Sequence, residues 1–393
     1  MDNEKKKLTA QRIQNLPQNF FAQLESKIAA RQASGGNVIR LDIGSPDMPP
    51  DASILQALIH SANQPNHHGY QLHTGPATLR AAWAELYQRE FGVELDSRQE
   101  IVPLLGSKEG IFNLIMACID PGDIVLVPDP GYMTYKNGTL FAGGEPVEMP
   151  LLEERSFLPD LNAIPPGIAR RAKMLWLNYP NNPTGAVASL DFFTEAVEFA
   201  RRYDLLLCHD AAYSLVTFDG YRAVSLMQVP GAREVGVEFN SLSKSHNMAG
   251  WRVGAAVGNR QALNALFKIK TNLDSSHFLP VLDAAVEAMT GDQAWLRARN
   301  EVYRQRRDLV LKTLHGMGLT ASVPAAAIYV WSRVPLGWTS LDFVTAALEQ
   351  AHVSLTPGTV FGPHGEGYVR ISLTVASEKI AEAMQRLAEW SKL

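Results

Sequence analysis

From about residue 100 the chain alternates short apolar runs with longer segments of helical periodicity, and this alternation limits the available folds more than any other feature. Helical patterns lie between several of the runs, for example over 107–119 and 190–203. Alternation of this kind predicts an α/β domain with one large, mostly parallel sheet. Seven runs have the length of buried strands: 101–105, 123–127, 145–149, 173–178, 205–209, 235–239 and 252–257.

The two ends of the chain carry different patterns. Residues 16–32 place Phe20, Leu24 and Ile28 at helical spacing, which predicts a helix that docks on the rest of the protein. After residue 260 the pattern is mainly helical to about 318, and a mixed α+β tail follows with strands near 327–332 and 367–373.

A chain of 393 residues exceeds the usual size of one domain. We therefore expect a large domain over 49–286. The smaller α+β domain would combine residues 1–48 with 287–393.

Composition excludes several classes of function. A net charge of −4 and a pI of about 6.2 do not suit a nucleic-acid partner, and the cationic run Lys5–Lys7 is typical of a frayed terminus. Cys118 and Cys208 stand in apolar runs, which favours buried, reduced thiols. No apolar run reaches transmembrane length and no signal-like segment is present, so we expect a cytoplasmic protein without a membrane partner.

Open parallel sheets bind ligands beyond the carboxyl ends of their strands, so the turns after the strands are the candidate site. Ser107 and Lys108 open a helix after a glycine turn, where free N–H groups could hold an anion, although Ser107 could equally be a plain N-cap. Tyr132, after the second strand, could stack on a flat ring or belong to a rigid turn. Asn182, after the fourth strand, could donate to a ligand oxygen or serve a structural loop.

Two later turns carry the stronger signals. Asp210 follows the apolar run LLLC, and a buried carboxylate there is costly without a partner, so a functional role and a helix cap are equally favoured. Ser241, Ser243 and Lys244 follow the sixth strand, with Arg252 eight residues on. A loop lysine is usually only solvated. However, a lysine amine, an acid for a pyridine nitrogen and an anion cradle are together what pyridoxal-phosphate (PLP) chemistry needs.

The ordered motifs NNPTG, HDAAY and SLSKSHNMAGWRVG resemble those of class I/II aminotransferases, which are PLP enzymes of fold type I. The resemblance covers essentially the whole chain, from LDIGSPD at 41–47 to YVRISLT at 368–374. The stretches LLGSKEGI and LNYPNNPTGAV are similar to the LL-diaminopimelate aminotransferase-like group of bacterial enzymes. The resemblance implies a homodimer that moves an amino group between an L-amino acid and a 2-oxo acid by a ping-pong mechanism.

The resemblance also assigns roles around the PLP ring. Lys244 would form the Schiff base and move protons as general acid and base. Asp210 would pair with the pyridinium N–H and keep the ring an electron sink. Asn182 and Tyr213 would hydrogen-bond the ring's phenolic oxygen, and Tyr132 would stack on the ring.

Further roles implied by the resemblance concern the phosphate and the substrate. Tyr70 would reach the phosphate from the neighbouring subunit. Arg370 would clamp the substrate α-carboxylate as a bidentate fork, with Gly44 close to that carboxylate. The remaining phosphate ligands would be Ser107, Lys108, Ser241, Ser243 and Arg252.

The sequence departs from the group at HHGYQLHTG (67–75), Ser245-His246 and Ser276-His277, which we expect near the substrate pocket or the dimer interface. LL-diaminopimelate with 2-oxoglutarate is the leading expectation. A general aminotransferase for aspartate or alanine is the alternative, followed by another PLP reaction such as β-elimination.

Two other interpretations are weaker. An aminotransferase-like regulator would carry a DNA-binding module, whereas only about 45 residues precede the large domain here. His67-His68 has no third ligand at suitable spacing, so a polar loop is expected there and no metal.

Overall fold

The computed structural model describes residues 8–14 and 20–392. The predicted cationic run Lys5–Lys7 and the predicted helix start at 16–19 lie outside the described residues. The described strands are β1 Ile39–Arg40, β2 Ile101–Leu104, β3 Ile124–Asp129, β4 Glu145–Pro150, β5 Ala172–Asn178, β6 Leu206–Asp210, β7 Gly236–Ser241, β8 Gly254–Gly258, β9 Tyr329–Arg333, β10 Val353–Ser354, β11 Thr356–Pro357 and β12 Tyr368–Ser372.

The α-helices surround and connect these strands. They are α1 Gln11–Gln14, α2 Phe20–Ala33, α3 Ala52–Ala62, α4 Ala77–Phe91, α5 Ser107–Cys118, α6 Thr134–Ala142, α7 Pro166–Ala169, α8 Leu190–Tyr203, α9 Ala232–Val235, α10 Leu242–Ser245, α11 Arg260–Leu273, α12 Leu279–Thr290, α13 Ala294–Gly316, α14 Ser340–Ala346 and α15 Ser377–Trp390. Within the described residues, no helix is both long and apolar enough to cross a membrane.

The central sheet contains the seven predicted strands in the order β2-β8-β7-β6-β5-β3-β4. Strands β3 to β7 pair in parallel, whereas β8 runs antiparallel to both of its neighbours. The prediction of a mostly parallel sheet is therefore confirmed. Because the strands from β3 to β7 point the same way, their carboxyl ends meet at one edge.

Apolar side chains cover both faces of this sheet, as near-continuous hydrophobic runs require. On one face Trp176 and Phe239 pack with Leu114 of α5 and Leu266 of α11. On the other face the core includes side chains from α3, α4, α8 and α12. The sheet is therefore an internal layer between helices, and its carboxyl edge is where a ligand can reach it.

The helices predicted over 107–119 and 190–203 are confirmed, and local signals set their ends. The Ser189 hydroxyl accepts from the N–H of Phe192 at 3.2 Å and caps α8. Asp204 ends this helix in the left-handed region with φ of 56°. Gly106 precedes α5 with φ of 80°, a conformation that favours glycine.

A second layer of structure forms from the two ends of the chain. Strands β11, β12 and β9 make a three-stranded antiparallel sheet, and β1 pairs in parallel with β10. The side chains of Ile39 and Leu41 share a hydrophobic cluster with Ile371 and Met384. The two predicted tail strands are confirmed, while the domain boundaries at residues 48/49 and 286/287 stay a prediction.

Candidate active site

A cavity of about 630 Å³ opens at the carboxyl edge of the central sheet. It receives side chains from the ends of β5 and β6, from α5 and α10, and from β9 and β12 of the smaller sheet. The predicted site residues that line it are Gly44, Ser107, Lys108, Tyr132, Asn182, Asp210, Tyr213, Lys244 and Arg370. Residues separated by more than 300 positions in the chain thus meet in one cavity.

Asp210, the last residue of β6, is a buried carboxylate with neutral partners. Its Oδ2 accepts from the Tyr135 hydroxyl at 2.9 Å, and its Oδ1 accepts from the N–H of Ala212 at 3.3 Å. Burial raises the pKa of Asp210, while the Tyr135 hydrogen bond opposes that rise. A cationic N–H in the cavity, such as that of a pyridinium ring, would complete the surroundings of this carboxylate.

Tyr135 was missed by the sequence reasoning although it contacts Asp210 directly. It is fully buried on α6, and its ring stacks on Trp176 with centroids 5.0 Å apart. The sequence signal that could have identified Tyr135 is its position three residues after Tyr132, because this spacing places both rings on one side of a helical turn.

Lys244 lies in the short helix α10, directly after β7. Its Nζ donates to the backbone oxygen of Gly44. Burial lowers the pKa of Lys244, and the positive charges of Arg370 and Arg252 lower it further. The amine is therefore closer to its neutral, nucleophilic form than a solvated lysine is.

The helix that carries Lys244 is held at both ends. The Ser241 hydroxyl accepts from the N–H of Ser243 at 3.2 Å. At the other end the Arg299 guanidinium donates to the backbone oxygens of Lys244, at 2.9 Å, and of Ser245. Arg299 is a second residue that sequence reasoning missed, since it stands in the charged segment RARNEVYRQRR, which is typical of a solvated helix.

An anion cradle lies beside Lys244, at the start of α5. The Arg252 guanidinium donates to the Ser243 hydroxyl at 3.3 Å. A Cβ at Gly106 would overlap Nη2 of this arginine, so glycine allows the guanidinium to approach the helix N-terminus. Free N–H groups and a guanidinium together suit a phosphate. The residues present therefore fit the phosphate group of PLP.

Arg370 is buried on β12 and lies close to two aromatic rings. Its Cζ lies 4.2 Å from the Tyr329 ring centroid and 4.8 Å from that of Phe361. One terminal nitrogen donates to Asn182 Oδ1 at 2.9 Å and the other to the backbone oxygen of Asp42 at 2.7 Å. Its Nε has no hydrogen-bond partner. A buried guanidinium without a carboxylate partner is suited to binding one from a substrate.

Tyr329, a third residue that the sequence reasoning missed, lines the cavity next to Arg370. A Cβ at Gly44 would overlap the Tyr329 hydroxyl, which explains why glycine stands there. The hydroxyl oxygens of Tyr329 and Tyr213 lie 3.0 Å apart.

Tyr70 and the histidines near it lie elsewhere. Tyr70 is 93% exposed and does not line the cavity. His67 Nδ1 lies 2.8 Å from the Ser61 hydroxyl and 3.6 Å from Asp283. In residues 8–14 and 20–392 no group of three or more acidic, histidine or cysteine side chains is placed to hold a metal ion.

Comparison with known proteins gives a consistent result. The family model of aminotransferase class I and II matches residues 36–387. The LL-diaminopimelate aminotransferase of Moorella thermoacetica is 51% identical over 378 residues, covering 96% of this chain and 97% of that protein. The enzyme of that name from Desulforudis audaxviator is also 51% identical over 378 residues, covering 96% of each. Substrate-bound BacF from Bacillus subtilis superposes with a TM-score of 0.94 at 34% identity, covering 98% of each chain.

The anion cradle leads to a first test. Gly106→Ala should weaken PLP binding by the apoenzyme by about tenfold or more, because the new methyl group displaces Arg252. Fluorescence titration with PLP measures this. Gly122→Ala is the matched control, since Gly122 has a similar φ of 88° but nothing within 4 Å of an added Cβ. Equal PLP affinity in the two variants would show that Arg252 does not bind the phosphate.

Proposed function

This chain belongs to the class I and II aminotransferases, and we propose that it transfers the amino group of LL-diaminopimelate to 2-oxoglutarate. It is a PLP-dependent enzyme of fold type I, as its sequence predicts. The observation that carries the choice of amino donor is 51% identity, over 96% of this chain, to a protein named LL-diaminopimelate aminotransferase.

The cavity residues fit PLP, which when bound supplies an electron sink for negative charge at the substrate Cα. Lys244 would hold its reactive carbon, and Asp210 would face its ring nitrogen. Tyr132 would lie against the ring, with Asn182 and Tyr213 at its phenolic oxygen. The phosphate would be held by the α5 N-terminus and by the side chains of Ser107, Lys108, Ser241, Ser243 and Arg252.

Two residues of the chain act on the substrate in this proposal, and a third acts on the cofactor's phenolic oxygen. Arg370 binds the α-carboxylate, and its guanidinium, held against the rings of Tyr329 and Phe361, orients the Cα–H bond. Lys244, made less basic by burial, would take the Cα proton as general base and return it as general acid to the carbon on the other side of the substrate nitrogen. Tyr213 stabilises the phenolic oxygen. The 2-oxo acid then reverses these steps at the same residues, which gives a ping-pong order.

The substrate assignment is tested by comparing kcat/KM for LL-diaminopimelate, glutamate, aspartate and alanine, with 2-oxoglutarate or pyruvate as acceptors. LL-diaminopimelate with 2-oxoglutarate should give the highest value among the non-glutamate donors. Turnover of aspartate or alanine without turnover of LL-diaminopimelate would assign a general aminotransferase instead. Release of ammonia without amination of the acceptor would indicate β-elimination.

The lysine assignment is tested by borohydride reduction of the holoenzyme followed by peptide mapping. The label should appear on Lys244, because burial favours its neutral amine. Lys270 is an internal control, since it is more fully buried than Lys244, at 1% exposed, but its ammonium pairs with Asp274 at 2.8 Å. A label on Lys270 or Lys108, with none on Lys244, contradicts the proposed site.

We also propose a homodimer, supported by an exposed apolar surface. The loop at 66–75 packs against residues 273–279: the His68 and Phe278 rings lie 5.5 Å apart, and His73 Nε2 lies 2.7 Å from the Asp274 oxygen. Apolar side chains exposed on these two segments are Tyr70, Leu72, Leu273 and Phe278. A patch of this kind on a globular protein is typical of a protein interface.

Mixing two inactive variants tests both the dimer and the role of Tyr70. Tyr70→Ala and Lys244→Ala should each be inactive. Their unfolded chains, refolded together, should regain part of the activity, because one site of a mixed dimer would have both residues intact. Activity that stays absent, with dimers detected by sedimentation, means that Tyr70 does not serve the partner's site.

A cytoplasmic location is also part of the proposal. Cys118 and Cys208 are both unpaired, as is usual in a reducing compartment. Burial raises the pKa of Cys118 to about 11, so this thiol is unreactive at neutral pH.

A further inference from the structure

Tyr329 contacts two parts of the site that the proposed mechanism uses separately. It lies on β9 and is 2% exposed. Its ring lies under the Arg370 guanidinium, and its hydroxyl lies 3.0 Å from that of Tyr213. The substrate carboxylate clamp and the phenol assigned to the cofactor are thus joined through one side chain.

We propose that Tyr329 is a positioning residue that orients Arg370 with its ring and strengthens Tyr213 as a hydrogen-bond donor with its hydroxyl. This inference rests on the proposed roles of Arg370 and Tyr213. Tyr329 contacts both Arg370 and Tyr213, but in that proposal it binds neither the α-carboxylate nor the cofactor.

The direction of the hydrogen bond follows from the number of protons. A tyrosine hydroxyl carries one proton and two lone pairs. When Tyr213 donates its proton to the cofactor's phenolic oxygen, only its lone pairs remain for Tyr329. Tyr329 must therefore donate to Tyr213. Hydrogen bonds arranged in such a chain polarise one another, so Tyr213 becomes a stronger donor.

The ring of Tyr329 acts on Arg370 by a different route. Hydrogen bonds to Asn182 and Asp42 fix the positions of two guanidinium nitrogens but leave the guanidinium plane free to tilt. The guanidinium lies over the rings of Tyr329 and Phe361, with its Cζ 4.2 and 4.8 Å from their centroids. A desolvated cation over an aromatic face is held in orientation as well as in position.

Replacing the Tyr329 hydroxyl changes no formal charge around Lys244. The titratable groups that face its amine are Tyr329 itself, Arg370, Arg252 and Asp210, and the last three remain in Tyr329→Phe. A change in the titration of the Lys244-linked chromophore in this variant therefore reports the lost hydroxyl.

The first measurement is the pH titration of visible absorbance of purified holoenzyme without substrate. In Tyr329→Phe the pKa of the chromophore should rise by roughly half to one unit, the range for one neutral hydrogen bond. The sign is upward because a weaker Tyr213 donor stabilises the phenolic oxygen less, so the chromophore holds its proton to higher pH. The KM for L-glutamate should stay within about twofold, since the ring still covers Arg370.

Tyr329→Leu separates the two contributions. It should show the same rise in the chromophore pKa and in addition raise the KM for L-glutamate by about tenfold, because the aromatic face is lost. Tyr368→Phe is the matched control. This tyrosine lies on β12 two residues before Arg370, stacks on Trp331 and donates to Glu153 at 2.9 Å, and it does not line the cavity. It should leave both quantities unchanged.

Tyr213→Phe separates failure of this inference from failure of the proposed site. If Tyr213→Phe raises the chromophore pKa and Tyr329→Phe does not, Tyr329 has no role and the proposed site stands. If Tyr213→Phe leaves the pKa unchanged, the proposed contact of Tyr213 fails, and the inference fails with it. A rise in Tyr329→Phe that is smaller than the rise in Tyr213→Phe supports the inference.

Discussion

The burial of unlike charges in one cavity, each without a charged partner of its own, is the constraint on which this structure depends. Asp210 has neutral hydrogen-bond donors, and Arg370 binds an amide oxygen and a backbone oxygen. Burial raises the pKa of Asp210 and lowers that of Lys244. A buried charge without an oppositely charged partner lowers the stability of a fold. Such charges are therefore retained where a bound ligand supplies the partner.

The rest of the fold keeps these charged groups in place despite the free-energy cost of burying them. Strand β6 ends at Asp210 between the parallel strands β5 and β7, and the same sheet edge carries Lys244. Arg370 comes from the smaller sheet, and two arginines of α13 tie the parts together. Arg299 donates to the backbone at Lys244, while Arg306 forms a bidentate ion pair with Asp47 at 2.8 and 2.9 Å. The geometry of the cavity therefore depends on contacts between segments far apart in sequence.

This dependence explains what the sequence could and could not predict. The seven strands of the sheet are continuous apolar runs, and their turns are rich in glycine, proline and asparagine, so both signals are local. Asp210 and Lys244 follow such runs and could be found from their own surroundings. Tyr135, Arg299 and Tyr329 could not, because a tyrosine in a core strand or an arginine in a charged helix becomes informative only through its tertiary contacts. Tyr329 meets Tyr213 across 116 residues of chain, and Arg299 meets Lys244 across 55.

The departures from the LL-diaminopimelate aminotransferase-like pattern have a structural meaning that the sequence did not reveal. His246 is fully buried behind α10, where it lies 2.8 Å from the Ser245 hydroxyl and 3.3 Å from Gln293, and burial lowers its pKa to about 3. His277 Nε2 lies 2.7 Å from the backbone oxygen of Arg252, which has a left-handed φ of 61°. Neither residue lines the cavity of its own chain. His246 instead contacts the helix that carries Lys244, and His277 contacts the backbone of Arg252.

Of the three departures, only the loop at 66–75 and the segment around His277 lie on the proposed dimer surface. In the proposed dimer, the loop at 66–75 and the segment around His277 can alter substrate choice through the partner's site, whereas Ser245-His246 acts within its own chain behind Lys244.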